Sequence, residues 1–129
     1  LSKDHRIYVL GAQSAAYKSL LPEAVILDGY VKKELYLQPD LTLDDLAKRL
    51  NTNRTYLSSY FSNVIRKTFY DYINELRITQ KSIPLMKSCP GNTLEQIAQA
   101  SGFNSLSTFR RAFKKITGDT PSIYREKNL

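Results

Sequence analysis

Cysteine is nearly missing from this chain: Cys89 is the only one in 129 residues. A lone thiol forms no internal disulfide and no cysteine metal cluster. Histidine is equally scarce, with His5 alone near the N-terminus. That excludes Ser-His and Cys-His nucleophile pairs and histidine-rich metal sets, so neither a catalytic nor a metal-ligating constellation is expected. No apolar run approaches the roughly 18 residues that a membrane span needs. No signal-peptide pattern is present, because Leu1-Ser2-Lys3-Asp4-His5-Arg6 leads into only a brief apolar stretch. Glycine and proline number five each, and β-branched alternation is scarce, which argues against a strand-rich fold. The chain opens at Leu1 with no initiator Met and reads as a piece of something longer.

What is present is a globular composition, 42% hydrophobic and 24% charged, of a length suited to one domain or two very small ones. Lys plus Arg is 19 against 12 Asp plus Glu, a net charge of +7. The excess is uneven. Residues 1–39 carry five basic and four acidic side chains, net +1, and residues 40–129 carry fourteen and eight, net +6. A polyanion is therefore the first partner to consider, and it should meet the last ninety residues.

Those residues have helical spacing. Leu43, Leu46, Ala47 and Leu50 fall at i, i+3, i+4 and i+7. Thr42 with Asp45 reads as a capping box before them, after a break at Pro39-Asp40. Leu94, Ile97 and Ala98 repeat the stripe, with Thr93 and Gln96 as a second capping box after Pro90-Gly91. The likeness extends into an internal repeat. LTLDDLAKRLNTN aligns with NTLEQIAQASGFN, so Asn51 matches Gly102, each where a helix should stop in a left-handed turn. Leu57, Phe61 and Val64 match Phe109, Phe113 and Ile116, and Thr68-Phe69 with Tyr72 matches Thr120-Pro121 with Tyr124. Each copy reads as helix, short turn, second helix and aromatic anchor: a helix-turn-helix, twice.

Between the copies, Phe69, Tyr72, Ile73, Leu76 and Gln80 carry helical spacing toward Lys87. Such a helix spans roughly 27 Å, near the ~34 Å between successive major-groove faces. Pro84 should kink it or end it early, near Ile83, because proline removes a hydrogen bond and clashes with the preceding turn. Residues 1–21 have no clear pattern and are assigned as a linker remnant or flexible N-terminal segment. Residues 22–37, with Pro22 in the first turn and Leu27, Val31 and Leu35 in one row, are expected to form a helix packed on the first helix-turn-helix.

The second helix of each copy is the candidate reader. In the first, Tyr56, Leu57, Tyr60 and Phe61 form the buried side and leave Arg54, Thr55, Ser58 and Ser59 outside. In the second, Phe109, Phe113 and Ile116 form the core stripe, and Arg110, Arg111, Lys114 and Lys115 present four positive charges. Arginine bonds guanine bidentately, while lysine suits phosphate. Asp44-Asp45 is better read as first-turn dipole compensation than as a catalytic pair. Tyr56, Tyr60, Tyr72 and Tyr124 lie on core stripes, so packing is expected of them rather than base stacking. Cys89 reads as a semi-exposed loop residue with no role.

Ala98, Gly102-Phe103, Phe109, Phe113, Gly118, Pro121 and Tyr124-Arg125 together resemble the signature of the AraC/XylS-type DNA-binding domain. The first half is similar to members at the C-terminus of large sensor proteins. The resemblance implies an all-α fold of about seven helices, with two homeodomain-like helix-turn-helix subdomains joined by a long linker helix. It implies a DNA-binding domain over residues 22–126, with helix-turn-helix units near 42–65 and 93–116, a linker helix near 69–87, and a tail at 127–129. It places base-reading residues at Arg54, Thr55, Ser58 and Ser59, and at Leu106, Ser107, Arg110 and Arg111. It places phosphate contacts at Asn53, Lys67, Ser105, Lys114 and Lys115. The chain departs from the family pattern at Arg66, where glycine is usual, and at Lys81 and Pro84 in the linker. With only hydroxyls at Ser58 and Ser59, the first reader is expected to discriminate bases less than the second.

The function expected is sequence-specific binding of a double-stranded DNA operator by a bacterial, cytoplasmic transcription regulator, an activator by family tendency. A membrane-tethered parent is left open. The alternatives are a basic helical protein–protein interaction module and a non-specific nucleic-acid binder; an enzyme is not expected. RNA polymerase and an absent sensor and dimerisation region are the other expected partners. No cofactor, metal or small-molecule ligand is expected in this stretch.

Overall fold

Short-range capping decides where the helices begin. In the computed structural model, which describes residues 35–129, α1 (Leu43–Arg49) starts at Thr42. Thr42 Oγ1 accepts from Asp45 N at 3.1 Å, and Asp45 Oδ2 accepts from Thr42 N at 3.2 Å, a complete capping box. Asn53 caps α2 (Arg54–Tyr60) by accepting from Tyr56 N at 2.8 Å. Thr93 and Gln96 repeat the box for α4 (Leu94–Ala100), and Ser105 caps α5 (Leu106–Thr117) by accepting from Thr108 N. Thr120 caps α6 (Pro121–Asn128). The helix at 69–88, α3, lies between, and Thr68 accepts from Asp71 N in its first turn. The repeat read in the sequence thus extends to the caps. Six helices are present among the described residues, seven with the 3-10 turn Leu35–Leu37, and none of these residues is in a strand. The helix expected over 22–37 lies outside the described residues except for that turn.

The stops are equally local. Asn51 and Gly102 take left-handed backbone conformations, at φ 58° and 91°, where α1 and α4 give way to the turns before the readers. Gly118 ends α5 at φ 88°. Arg66 does the same after α2 at φ 64°, a conformation that costs a side-chain-bearing residue roughly 1–2 kcal/mol. Here α2 runs on as a π turn, Phe61–Ile65, and Arg66 N donates to Phe61 O at 2.6 Å.

Two compact units form. The first contains Leu35 and Asp40–Asp71 of the described residues; the second contains Tyr36–Pro39 and Tyr72–Leu129. In the first, Leu41, Leu46, Ala47, Tyr56, Leu57, Tyr60, Phe61 and Phe69 are buried, and the Phe61 and Phe69 rings meet edge to face with centroids 5.8 Å apart. In the second, Ile78, Met86, Ile97, Ala98, Phe103, Phe109, Ala112 and Phe113 form one core. Tyr124 closes its aromatic chain, 5.3 Å from Phe113. Each buried phenylalanine contributes on the order of 1.5–3 kcal/mol through apolar area removed from water. Of the four tyrosines assigned to packing, Tyr56 and Tyr60 are buried, and Tyr72 and Tyr124 are half-buried.

The expected early end near Ile83 does not occur. α3 begins as Phe69–Leu76, widens into a π turn at Arg77–Ser82, and continues as Ile83–Ser88. Pro84 has no N–H to give Gln80, and a uniform α-helix would press its ring on the previous turn. The widened register, in which Ile83 N donates to Ile78 O, takes up the change before the proline, and the helix goes on.

Candidate nucleic-acid interface

α5 sorts its residues cleanly. Phe109, Ala112 and Phe113 are buried at i, i+3 and i+4, which turns Ser107, Arg110, Arg111, Lys114 and Lys115 outward, all exposed. Arg110, Arg111, Lys114 and Lys115 line an open groove of about 430 Å³ with Thr120. Four cations on one face of a short helix, with no carboxylate in the segment 105–117, make a strongly positive surface. Leu106 differs from the other residues assigned to this face. It is half-buried and packs against the second core, so only part of it faces outward.

A hydroxyl network that the spacing alone did not reveal sits at the start of α5. Ser105 Oγ donates to Thr108 Oγ1 at 2.9 Å, and Arg111 Nη2 donates to the same Thr108 oxygen at 3.4 Å. Thr108 thereby holds the Arg111 guanidinium toward the first turn, the part of a recognition helix that meets base edges. The i, i+3 spacing of Ser105, Thr108 and Arg111 was the available signal.

In the first unit, Arg54, Thr55 and Ser58 are exposed and Ser59 is half-buried. Asn63 Nδ2 donates to both Ser59 O at 2.9 Å and Ser59 Oγ at 3.0 Å. Arg54 Nη1 lies 3.8 Å from Asp44 Oδ2, both side chains largely in water, so the first reader's only arginine is shared with an acid on α1. Arg54 and Ser58 border a groove of about 300 Å³ with Thr42, Asp44, Thr68 and Tyr70, and Tyr70 is 59% exposed.

Asn53 and Ser105 sit where phosphate contacts were expected, but each side-chain oxygen is already accepting a backbone N–H as a helix cap. Lys67, Lys114 and Lys115 are exposed. Cys89 is half-buried at the C-terminal end of α3. Among the described residues no helix is long and apolar enough to cross a membrane.

Comparison with known proteins agrees with this geometry. A family described as a helix-turn-helix domain matches residues 46–127. An HTH-type transcriptional regulator of Staphylococcus aureus strain COL is 32% identical over 92 residues, which is 71% of this chain and 12% of that protein. The HTH-type transcriptional regulator YobQ of Bacillus subtilis strain 168 is 33% identical over 113 residues, 88% of this chain and 42% of YobQ. The chain therefore spans less than half the length of these relatives. Among solved structures, the C-terminal domain of AraT, a response regulator from Geobacillus stearothermophilus, superposes with a TM-score of 0.75 at 29% identity, covering 85% of this chain and 88% of that one. The DNA-binding domain of AdpA, solved in complex with a target DNA, shares the fold at a TM-score of 0.68 and 19% identity, covering 79% of this chain and 88% of that one.

Proposed function

The chain belongs to the AraC-type helix-turn-helix family of DNA-binding transcription regulators, not to an enzyme family, and from that membership we propose that it reads a specific duplex operator through the outer faces of α2 and α5. The observation that carries this is the sorting of α5: an aromatic inner row and an outer row of Arg110, Arg111, Lys114 and Lys115. Arg110 and Arg111 have the fork that pairs with guanine in the major groove. Lys114 and Lys115, one turn on, meet phosphates. At the caps of α2 and α5, backbone N–H groups of the first turn serve the phosphates, since the Asn53 and Ser105 side chains are engaged with the helix itself. The first reader, Arg54, Thr55, Ser58 and Ser59, supplies a shorter polar surface and weaker discrimination.

The two readers are proposed to enter successive major-groove segments of one duplex. The parent protein is proposed to carry a sensor and dimerisation region and to act as a cytoplasmic activator that contacts RNA polymerase. Affinity comes largely from neutralised phosphates and falls steeply with salt.

Selection of bound duplexes from a random library at two salt concentrations tests the reading. The expected result is an enriched motif with two half-blocks about one helical turn apart. Retention without a motif, lost at the higher salt, makes the chain a non-specific binder. Absence of retention at both salts removes DNA and leaves the basic face to an acidic protein.

A further inference from the structure

The segment Tyr36–Pro39 precedes the first helix-turn-helix in sequence, yet it belongs to the second unit. Arg77, in the π turn of α3, holds it there. Its Nε donates to the Tyr36 carbonyl at 2.7 Å and its Nη2 to the Gln38 carbonyl at 2.9 Å. Nη1 lies 3.3 Å from Asn74 Oδ1, and the guanidinium stands over the Phe103 ring, 5.4 Å from its centroid. The residue is only 7% exposed, and burial lowers its pKa from the ordinary value. A buried guanidinium commonly meets a carboxylate. This one is satisfied by two backbone carbonyls and an amide, which a fork can reach together only if the segment keeps one conformation.

Two more contacts seat the same segment. A Cβ on Gly102 would lie 2.7 Å from the Leu37 carbonyl oxygen, so only glycine lets the segment come this close. Asn104 Nδ2 donates to the Pro39 carbonyl at 3.4 Å. Gly102, Phe103 and Asn104 are the turn between α4 and α5, and the next residue, Ser105, caps α5. Every residue of that turn therefore touches either the segment or the guanidinium that holds it.

We infer that Tyr36–Pro39 is a strap that sets the position of the second reader helix, and that Arg77 is the positioning residue holding the strap against the turn. This rests on the reading of α5 as a base reader. Arg77 acts through the strap and the turn. Base readout tolerates about 0.5 Å of misplacement, so a loosened turn re-aims Arg110 and Arg111 without unfolding the core.

The test is Arg77→Lys in the full chain, with base preferences selected separately for each half-block and amide exchange followed at residues 102–105. Lysine keeps the charge but cannot span two carbonyls. The half-block altered by Arg110→Ala and Arg111→Ala should lose base preference by about threefold or more. The other half-block should keep its preference, and the turn amides should exchange faster. Equal loss in both half-blocks, or a lowered melting temperature with both preferences intact, overturns the inference and leaves Arg77 a packing residue. If the two α5 arginine variants change no base preference, it is the reading of α5 that has failed, and the strap inference falls with it. Should Arg77→Lys fail to fold by circular dichroism, Asn104→Ala replaces it, since Asn104 is exposed and its loss leaves the core in place. Faster exchange at Tyr36, Leu37 and Gln38 with a shifted second half-block then supports the strap; unchanged exchange there, or an unshifted half-block, overturns it.

Discussion

The hydroxyl oxygens of Ser82 and Ser101 lie 2.6 Å apart, with both residues fully buried. Ser101 Oγ also lies 2.7 Å from the Ile97 carbonyl, and Ser82 Oγ lies 3.1 Å from the Arg77 carbonyl. Two protons cannot serve three contacts. Either hydroxyl can donate across the pair, and the one that does gives up its own carbonyl contact. The pair ties the π turn of α3 to the C-terminal end of α4 in the second unit.

Ser101→Ala and Ser82→Ala should each lower stability by about 1–2 kcal/mol, the cost of a buried hydroxyl losing its partner. The double variant should lose less than the sum, because the second substitution removes a group already orphaned. Denaturant titration of all four proteins checks this; strict additivity would mean the two hydroxyls do not interact.

The two left-handed glycines of the second unit should differ in their tolerance of alanine. At Gly118 an added Cβ would meet nothing within 4 Å, so Gly118→Ala should cost only the backbone term, about 1–2 kcal/mol. At Gly102 the same term is joined by a 2.7 Å clash with the Leu37 backbone, so Gly102→Ala should cost clearly more. Arg66→Gly runs the other way. It relieves a left-handed arginine and should raise stability by about 0.5–1 kcal/mol in a thermal melt.

On DNA, the cations of α5 should separate by role. Arg111→Ala should cost about 1–3 kcal/mol on the selected operator and relax one base preference. Lys114→Ala should weaken binding about equally on selected and random duplex and reduce the slope of log affinity against log salt by about 1. Equal losses on both duplexes for Arg111→Ala would make it a phosphate contact.

Asp44 holds Arg54 in a solvent-exposed ion pair at 3.8 Å. Such pairs are worth about 0–1 kcal/mol, so Asp44→Asn should leave the fold intact, release Arg54 and remove a negative charge beside the first reader. Affinity for DNA should rise by about two- to fivefold at low salt, with the gain shrinking as salt screens it. Equilibrium titration at two ionic strengths reads this, and unchanged affinity would mean that Arg54 does not meet DNA.

The helix starts and stops were legible in the amino-acid sequence because they depend on neighbours three or four residues away. Thr42 with Asp45, Thr93 with Gln96, and the left-handed Asn51 and Gly102 all settle within one turn of chain. The inner aromatic row and the outer cations of α5 follow from the same periodicity. Pro84 was legible as a disturbance, but not its outcome, since the π turn that absorbs it depends on how 77–82 pack. The strap was not legible at all. Arg77 bonds carbonyls 41 and 39 residues away, and a backbone carbonyl looks the same at every position in a sequence. The sequence by itself determined the segments, their faces and the distribution of charge, through short-range hydrogen bonds and side-chain period. The tertiary structure alone decided which carbonyls a buried guanidinium would meet, because only the folded backbone brings them together.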